Sequence, residues 1–229
     1  MTDPLDIDQI RRAVINTSTI ADILDAYGID SALDPAIRPL NVNAHYFVGY
    51  AYTVEWALVR KGDDILHGKE STWNDVRNFL VPELKDGKDR VYIAGVGPIL
   101  TTAALAGGLS SNYFQKMGFE GVILGGAVRD IPELKKLSIP VLASNPIPVD
   151  TQGAYRVIST GRNCVINNKI IQTGDLIVSD ESGTVVIPKD RIEEVIAKAI
   201  DIDAVETRIL ALVKGGARLE EIVSEQGRI

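Results

Sequence analysis

An arginine and an aspartate stand side by side at the end of an apolar, glycine-containing segment, Gly121-Val-Ile-Leu-Gly-Gly-Ala-Val-Arg129-Asp130. The planar guanidinium of an arginine can bind a carboxylate through two hydrogen bonds, and an aspartate offers the oxygen ligands that Mg²⁺ or Mn²⁺ prefers. Together the two side chains could hold an anionic oxo acid against a divalent cation. The residues alone leave a second interpretation equally open, in which Asp130 caps a helix that begins at Ile131 and Arg129 pairs with a nearby acid.

Other motifs of catalysis are incomplete in this sequence. Gly95-Val96-Gly97 follows a predicted strand and precedes a predicted helix, but Leu100 stands where a dinucleotide-binding motif has its third glycine. One cysteine, Cys164, and two histidines, His45 and His67, exclude a cysteine- or histidine-rich metal site. Cys164 is predicted to lie in the core, and the histidines are interpreted as ordinary surface or hydrogen-bonded residues.

The composition is that of a globular protein. The chain has 229 residues, of which 45% are hydrophobic and 24% charged, with a formal net charge of −7. Because phosphate backbones are bound by clustered Lys and Arg, this acidic balance argues against nucleic acid as the main partner. The apolar runs are far shorter than the ~20 residues that span a bilayer, and the N-terminus has no signal-peptide pattern. We therefore expect a cytoplasmic protein that binds neither membrane nor nucleic acid.

Strand and helix patterns alternate in the middle of the chain, which predicts a parallel sheet. The predicted strands are Phe47–Val54, Arg90–Ala94, Gly121–Leu124 and Ile139–Ala143. The predicted helices between them cover 74–85, Leu100–Met117 and Asp130–Lys136. Arg129 and Asp130 would thus follow the carboxyl end of a strand, where α/β sheets bind ligands.

The two ends of the chain carry other patterns. Two helices are predicted at the N-terminus, the first opened by Asp3-Pro4 and the second covering Ser18–Tyr27. A long amphipathic helix is predicted to begin near Asp190 and to end at Gly215-Gly216. Between the middle region and this helix, five short strands are predicted at Tyr155–Ser159, Cys164–Ile166, Ile170–Gln172, Leu176–Ser179 and Val185–Pro188. We interpret residues 1–229 as a single α/β domain.

The order and spacing of several segments resemble one protein family. It contains the regulator of ribonuclease E activity and the 4-hydroxy-4-methyl-2-oxoglutarate and 4-carboxy-4-hydroxy-2-oxoadipate aldolases. The similar segments are Ser18–Gly28, Leu33–Leu40, Gly49–Val54, Gly121–Asp130, Gly174–Asp180 and Gly183–Pro188. The resemblance implies a compact β/β/α domain related to the swivelling phosphohistidine fold. It also implies homotrimers, or hexamers built from trimers, in which the C-terminal helix packs on a neighbouring subunit.

The same resemblance implies roles for individual residues. Arg129 would bind the carboxylate and keto oxygen of a pyruvate-like substrate, and Asp130 would ligate Mg²⁺ or Mn²⁺. An acid from the C-terminal helix of a neighbouring subunit, for which Glu206 is the nearest match, would act through metal-bound water. The substrate carboxylate would also rest on the backbone N–H groups of Gly107, Gly108, Leu109 and Ser110.

These assignments predict a divalent-metal-dependent lyase for a small anionic 2-oxo acid. Retro-aldol cleavage of a 4-hydroxy-2-oxo acid and decarboxylation of oxaloacetate both leave an enolate, whose charge a divalent cation and Arg129 can stabilise. The sequence departs from the aldolases at Gly108, where they carry an acid twenty-one positions before the arginine. It also has Ala94 where many members have an aspartate, and the Gly95–Gly107 stretch is about two residues longer than usual.

The departures keep two alternatives open. One is a non-catalytic regulatory protein that binds a protein partner, since a glycine at 108 is what a degenerate site would contain. The other is a different enzyme activity on the same fold, in which the stretch Trp73-Asn74-Asp75 and Gly108 accommodate a larger substrate.

Overall fold

The computed structural model describes residues 6–59, 72–81, 83–151, 155–220 and 222. Its helices are α1 (Ile7–Ala13), α2 (Thr17–Asp25), α3 (Trp73–Val76), α4 (Gly108–Met117), α5 (Ile131–Leu134) and α6 (Ile192–Lys214), and a 3₁₀ helix covers Arg77–Leu80. Its strands are β1 (Arg38–Pro39), β2 (Phe47–Leu58), β3 (Arg90–Gly95), β4 (Leu100–Ala106), β5 (Gly121–Leu124), β6 (Gly126–Val128), β7 (Val141–Ala143), β8 (Tyr155–Thr160), β9 (Asn163–Ile166), β10 (Lys169–Gln172), β11 (Leu176–Asp180) and β12 (Gly183–Ile187). Across the described ranges, none of the helices has the length and hydrophobicity that a bilayer-spanning segment requires.

Eight of the strands form one mixed sheet in the order β1-β7-β5-β3-β2-β11-β12, with β8 paired to the second half of β2. Neighbours among β2, β3, β5 and β7 run parallel, which confirms the prediction from the strand–helix alternation. The strands that follow Pro148 join by antiparallel pairing instead: β11 lies along the start of β2, and β12 along β11. The α/β fold class is confirmed.

One segment between α2 and β2 hydrogen-bonds to both edges of this sheet. Leu33 N donates to Thr184 O and Val186 N donates to Ser31 O, each at 2.9 Å, and β1 then pairs with β7. The sheet therefore curls, and its concave side encloses a core that includes Val91, Ile93, Ile123, Cys164 and Ile177. Cys164 is buried there, as predicted.

The helices cover the convex side in two separate groups. The first group, α1, α2 and α6, packs against β11, β12 and the start of β2 through Ile10, Ile20, Leu24, Val195 and Ile196. The second group, α4 and α5, packs against β3 and β5 through Tyr92, Phe114, Phe119, Leu124 and Leu134. As predicted, α6 is a long helix that ends at Gly215. Its packing on a neighbouring subunit stays a prediction.

The largest difference from prediction lies at residues 100–117, for which a single helix was wrong. Leu100–Ala106 is strand β4, which pairs in parallel with β6, and α4 begins only at Gly108. Thr101 and Thr102 are β-branched and weaken the helix propensity of the alanines around them, so that burial beside β6 decides the conformation. The helix predicted over 74–85 is also wrong in extent, because α3 passes into the 3₁₀ helix and Val81 ends it with φ 47°.

Arg11 pairs with three carboxylates, of which Asp89 and Glu120 anchor α1 to the sheet. Its guanidinium lies 2.9 Å from Asp8, 2.7 Å from Asp89 and 2.9 Å from Glu120, and it also donates to Val48 O. Asp89 and Glu120 lie immediately before β3 and β5. The half-buried arginine thus ties the N-terminal helix to the amino ends of two central strands.

We expect Arg11→Met to lower the free energy of unfolding by about 1–2 kcal/mol, because it leaves the partly buried carboxylates of Asp89 and Glu120 without a counter-charge. Urea denaturation followed by circular dichroism measures this loss. Arg12→Met is the matched control, since Arg12 is exposed and takes part in no recorded ion pair of the described residues. Equal stability of the two variants would contradict the prediction.

Candidate active site

Two short parallel strands bring the predicted site residues together. After β3 and β5 leave the main sheet, the chain continues as β4 and β6, which pair with each other. Ala106 ends β4 opposite Val128 at the end of β6, and Arg129 N donates to Ala106 O at 3.1 Å. The glycines that begin α4 therefore lie directly beside Arg129 and Asp130.

Asp130 occupies the position before α5 but does not cap that helix with its side chain. Its backbone is left-handed, with φ 62° and ψ 41°, which is uncommon for a residue other than glycine. The carboxylate instead accepts a hydrogen bond from Gly108 N at 3.0 Å, at the N-terminus of α4. The positive end of a helix dipole stabilises a carboxylate in that place.

Arg129 lies between two carboxylates. Its Nη1 is 3.3 Å from Asp150 Oδ1, and its Nε is 3.6 Å from Asp130 Oδ2. The side chain is about one-third exposed, so a ligand can reach the guanidinium. The second interpretation of the sequence therefore holds in part: Arg129 pairs with an acid, and that acid is Asp150.

Two glycines make the close approach of these side chains feasible. A Cβ at Gly107 would lie 2.6 Å from Asp130 Oδ2 and 2.9 Å from Arg129 Cγ. A Cβ at Gly108 would lie 2.8 Å from the Cβ of Glu133. Any side chain at either position would therefore displace a residue of the site.

Glu133 lies against the place where the aldolases that this sequence resembles carry an acid. Its Cβ and Cγ surround the missing side chain of Gly108, together with the Cβ of Asp130. Its carboxylate is half exposed and pairs with Lys136 at 2.6 Å. Neither Glu133 nor Asp150 is among the residues that the sequence predicts for the site. The sequence feature that could have indicated Glu133 is its spacing, since it follows Asp130 by one helical turn.

The backbone N–H groups at the start of α4 are partly occupied. Gly107 N donates to Ser110 Oγ at 3.0 Å, and Gly108 N donates to Asp130. The N–H groups of Leu109 and Ser110 lie in the first turn of α4, where the helix supplies no acceptor four residues earlier. They are placed to bind an anion beside Arg129. The side chain of Leu109 is 89% exposed at this point.

The carboxylate oxygens at and near Asp130 suit a cation that keeps most of its water ligands. The described residues contain no cluster of three acidic, histidine or cysteine side chains that could enclose a metal. However, Asp130 uses only Oδ2 in its recorded contacts, and Glu133 lies on the same side of Gly108. Mg²⁺ is commonly held by one or two carboxylates with water and substrate oxygens completing its shell, so these residues fit it.

The remaining candidates lie elsewhere. Glu206 lies on α6 in the groove between α2 and α6, within the first helix group. Ala94 is fully buried in the core that α4 and α5 cover. Trp73 is exposed at the start of α3, and the side chain of Asp75 lies outside what the structure describes. Gly95-Val96-Gly97 leads into strand β4 and not into a helix, so the rejected dinucleotide motif also lacks its helix.

His45 lies away from this site. His45 Nε2 lies 2.9 Å from the buried Ser179 Oγ, and burial lowers the pKa of the imidazole. His67 lies outside the described residues.

A family model described as RraA-like, Aldolase/RraA, matches residues 17–186. The chain belongs to the Aldolase/RraA family. A member of this family from Halalkalibacterium halodurans, named "Putative 4-hydroxy-4-methyl-2-oxoglutarate aldolase", is 32% identical over 186 residues, which cover 81% of this chain and 78% of the relative. Protein DlpA of Legionella pneumophila is 30% identical over 208 residues, 90% of this chain, but the chain spans only 31% of the length of DlpA.

Two solved structures share the fold. An uncharacterized protein from Pseudomonas syringae superimposes with a TM-score of 0.75 at 22% identity, over 96% of this chain and 98% of its own. RraAS2 of Streptomyces coelicolor, described as an unusual member of the RNase ES inhibitor RraA protein family, gives a TM-score of 0.71 at 20% identity, over 89% and 97% of the two chains. The resemblance stated from the sequence is thereby confirmed.

Proposed function

We propose that this Aldolase/RraA protein is a divalent-metal-dependent lyase that cleaves a bond of a small 2-oxo acid and releases pyruvate. The observation that carries the proposal is the juxtaposition of the Arg129 guanidinium, the Asp130 carboxylate and the N–H groups at the start of α4. Relatives named as aldolases at about 30% identity support it.

In this proposal Arg129 binds the substrate carboxylate and keto oxygen. The guanidinium exchanges its contact with Asp150 for the substrate, and the N–H groups of Leu109 and Ser110 complete the anion site. A fixed guanidinium beside the keto oxygen stabilises the negative charge that develops there when the bond to the leaving carbon breaks. The helix dipole of α4 adds to this effect.

Asp130 would hold Mg²⁺ or Mn²⁺, with Glu133 supplying the acid that a glycine at 108 does not. A divalent cation in this place acts as a Lewis acid toward the oxo acid. The hydrogen bond from Gly108 N holds Asp130 Oδ2 in place, and Oδ1 would be the oxygen that binds the cation. Lys136, which pairs with Glu133, limits the free charge of that second carboxylate.

Glu206 would reach this site only from a second copy of the chain. Within one chain, α6 packs in the first helix group and Arg129 lies beside α4 in the second. We therefore propose a homotrimer, or a hexamer of trimers, in which the α6 acid of one subunit faces the site of the next. Sizing chromatography tests this assembly.

Metal-dependent pyruvate release is the test of the proposed function. We expect the protein to release pyruvate from oxaloacetate or a 4-hydroxy-2-oxo acid with Mg²⁺ or Mn²⁺, to lose this activity with a chelator, and to regain it when the metal is restored. A coupled lactate dehydrogenase assay measures the rate, and reactions with metal alone correct for uncatalysed decarboxylation. Absence of metal-dependent turnover on every acid of the panel would refute the proposal.

A second candidate function is a non-catalytic regulatory protein that binds a protein partner. The observation in its favour is Gly108, which removes the acid of the aldolases from its usual position. A protein without turnover on the same panel that is captured by a ribonuclease of the RNase E type would support this alternative.

A further inference from the structure

Asp150 is held in a fixed position on the open side of the candidate site. After β7, residues 144–147 run alongside β6, and Val149 O then accepts a hydrogen bond from Ala104 N at 2.9 Å. Thr151 Oγ1 donates to Ala104 O, and Thr151 N donates to Asp150 Oδ1 at 2.7 Å. The residues on both sides of Asp150 are thus hydrogen-bonded to Ala104 of β4, and Asp150 lies within reach of Arg129.

Among the described residues Asp150 pairs with no cation other than Arg129, so the Asp150 side of the site offers no counter-charge to a second acidic group on the substrate. Arg129 is the one cation that the described residues place in an ion pair with Asp150, and the proposed function assigns this cation to the first carboxylate. Once Arg129 binds the substrate, the Asp150 carboxylate, which is about half exposed, has no counter-charge beside the ligand. A like charge next to it is disfavoured.

The other surroundings of Asp150 suit an uncharged group. Two residues next to site residues in the chain present exposed apolar side chains: Val149, beside Asp150, is 44% exposed, and Leu109, beside Gly108, is 89% exposed. Asp150 Oδ2 has no donor among the described residues, so it can accept a hydrogen bond from a substrate hydroxyl.

We infer that the preferred substrate is a monocarboxylic 2-oxo acid with a neutral, hydroxylated tail, because the Asp150 carboxylate beside Arg129 disfavours a second acidic group. Among the acids of the test panel, a 4-hydroxy-2-oxo acid with a neutral tail is then favoured over oxaloacetate. The inference rests on the proposed function and specifies its substrate class. It separates this chain from the relatives whose names specify an oxoglutarate, which carries two carboxylates.

Binding of two matched ligands to the wild-type protein tests this directly. 2-Oxopentanoate and 2-oxoglutarate have the same number of carbons and differ in the terminal carboxylate. With Mg²⁺ present, we expect 2-oxopentanoate to bind about tenfold more tightly in calorimetric titrations. Tighter binding of 2-oxoglutarate would overturn the inference.

Substitutions of Asp150 provide the second arm. Asp150→Asn should bring the kcat/KM values for 4-hydroxy-2-oxopentanoate and 4-hydroxy-4-methyl-2-oxoglutarate closer together by about tenfold, and Asp150→Lys should reverse their order. Asn can still accept the Thr151 N–H, so the segment keeps its hydrogen bond. Asp86→Asn, at an exposed carboxylate paired with Arg90 at the far end of β3, is the control and should leave the ratio unchanged.

Exchange of the methyl protons of pyruvate distinguishes failure of the specificity inference from failure of the proposed function. Pyruvate has no tail, so its exchange in deuterated buffer reports the Arg129 site alone. The protein could catalyse this exchange while both Asp150 variants leave the ratio of the two kcat/KM values unchanged. That result would overturn the specificity inference but not the proposed function. If the wild-type protein catalyses neither proton exchange nor turnover, the proposed function and the specificity inference are both overturned.

Discussion

Arg129→Ala is expected to lower kcat/KM for a 2-oxo acid by about 10³-fold while leaving the fold intact. A fixed cationic donor at the oxygen that gains charge in the transition state is worth about 10²–10³ in rate, and this arginine also binds the carboxylate. Its ion pairs with Asp130 and Asp150 involve partly exposed groups at 3.6 and 3.3 Å, so their loss costs little stability. Steady-state kinetics with saturating Mg²⁺ measure the effect.

Two further variants make the Arg129 result specific. Arg129→Lys keeps the charge but loses the planar fork, so its activity should lie between those of the wild type and the alanine variant. Arg162→Ala removes an exposed arginine and should leave the kinetics unchanged. Full activity of Arg129→Ala would show that the reaction takes place elsewhere.

Gly107→Ala is expected to reduce kcat/KM by about 10²-fold through displacement of Asp130 and Arg129. The backbone of Gly107 is extended, with φ −146°, so an alanine fits the conformation without strain. Its methyl group, however, would lie 2.6 Å from Asp130 Oδ2 and 2.9 Å from Arg129 Cγ, and both side chains would have to move. The kinetic loss is measured beside the unfolding temperature of the same preparation.

Gly121→Ala is the matched control for this substitution. A Cβ at that glycine would approach the ring of Phe47 at 3.0 Å, at the amino end of β5 and away from the site. It should therefore lower stability without changing kcat/KM of the folded protein. If Gly107→Ala behaved in the same way, the crowding around Asp130 would have no part in the reaction.

The parallel centre of the fold is readable from the sequence because its signals are local. β3 and β5 are short apolar runs bounded by turn residues, and Arg129 and Asp130 are neighbours in the chain, so one motif places both at a strand end. The long helix α6 is likewise predicted by its own periodicity. None of these elements depends on a distant partner for its identification.

The parts that the sequence did not predict depend on tertiary contacts. Leu100–Ala106 has weak preferences of its own, and pairing with β6 makes it a strand. Asp150 reaches Arg129 because the segment after β7 folds back along β4, which no local pattern indicates. Glu133 has the pattern of an ordinary helix-surface acid until its contact with Gly108 is seen.

The segment that joins both edges of the curled sheet has a consequence for assembly. The Ser31–Leu33 backbone is hydrogen-bonded to β12, and β1 covers β7, so these two edges offer no free row of N–H and C=O groups. Strand addition, by which exposed edges recruit other chains into aggregates, is thereby blocked at both places. Copies of this protein that meet there must contact each other through side chains and not by adding strands to the sheet.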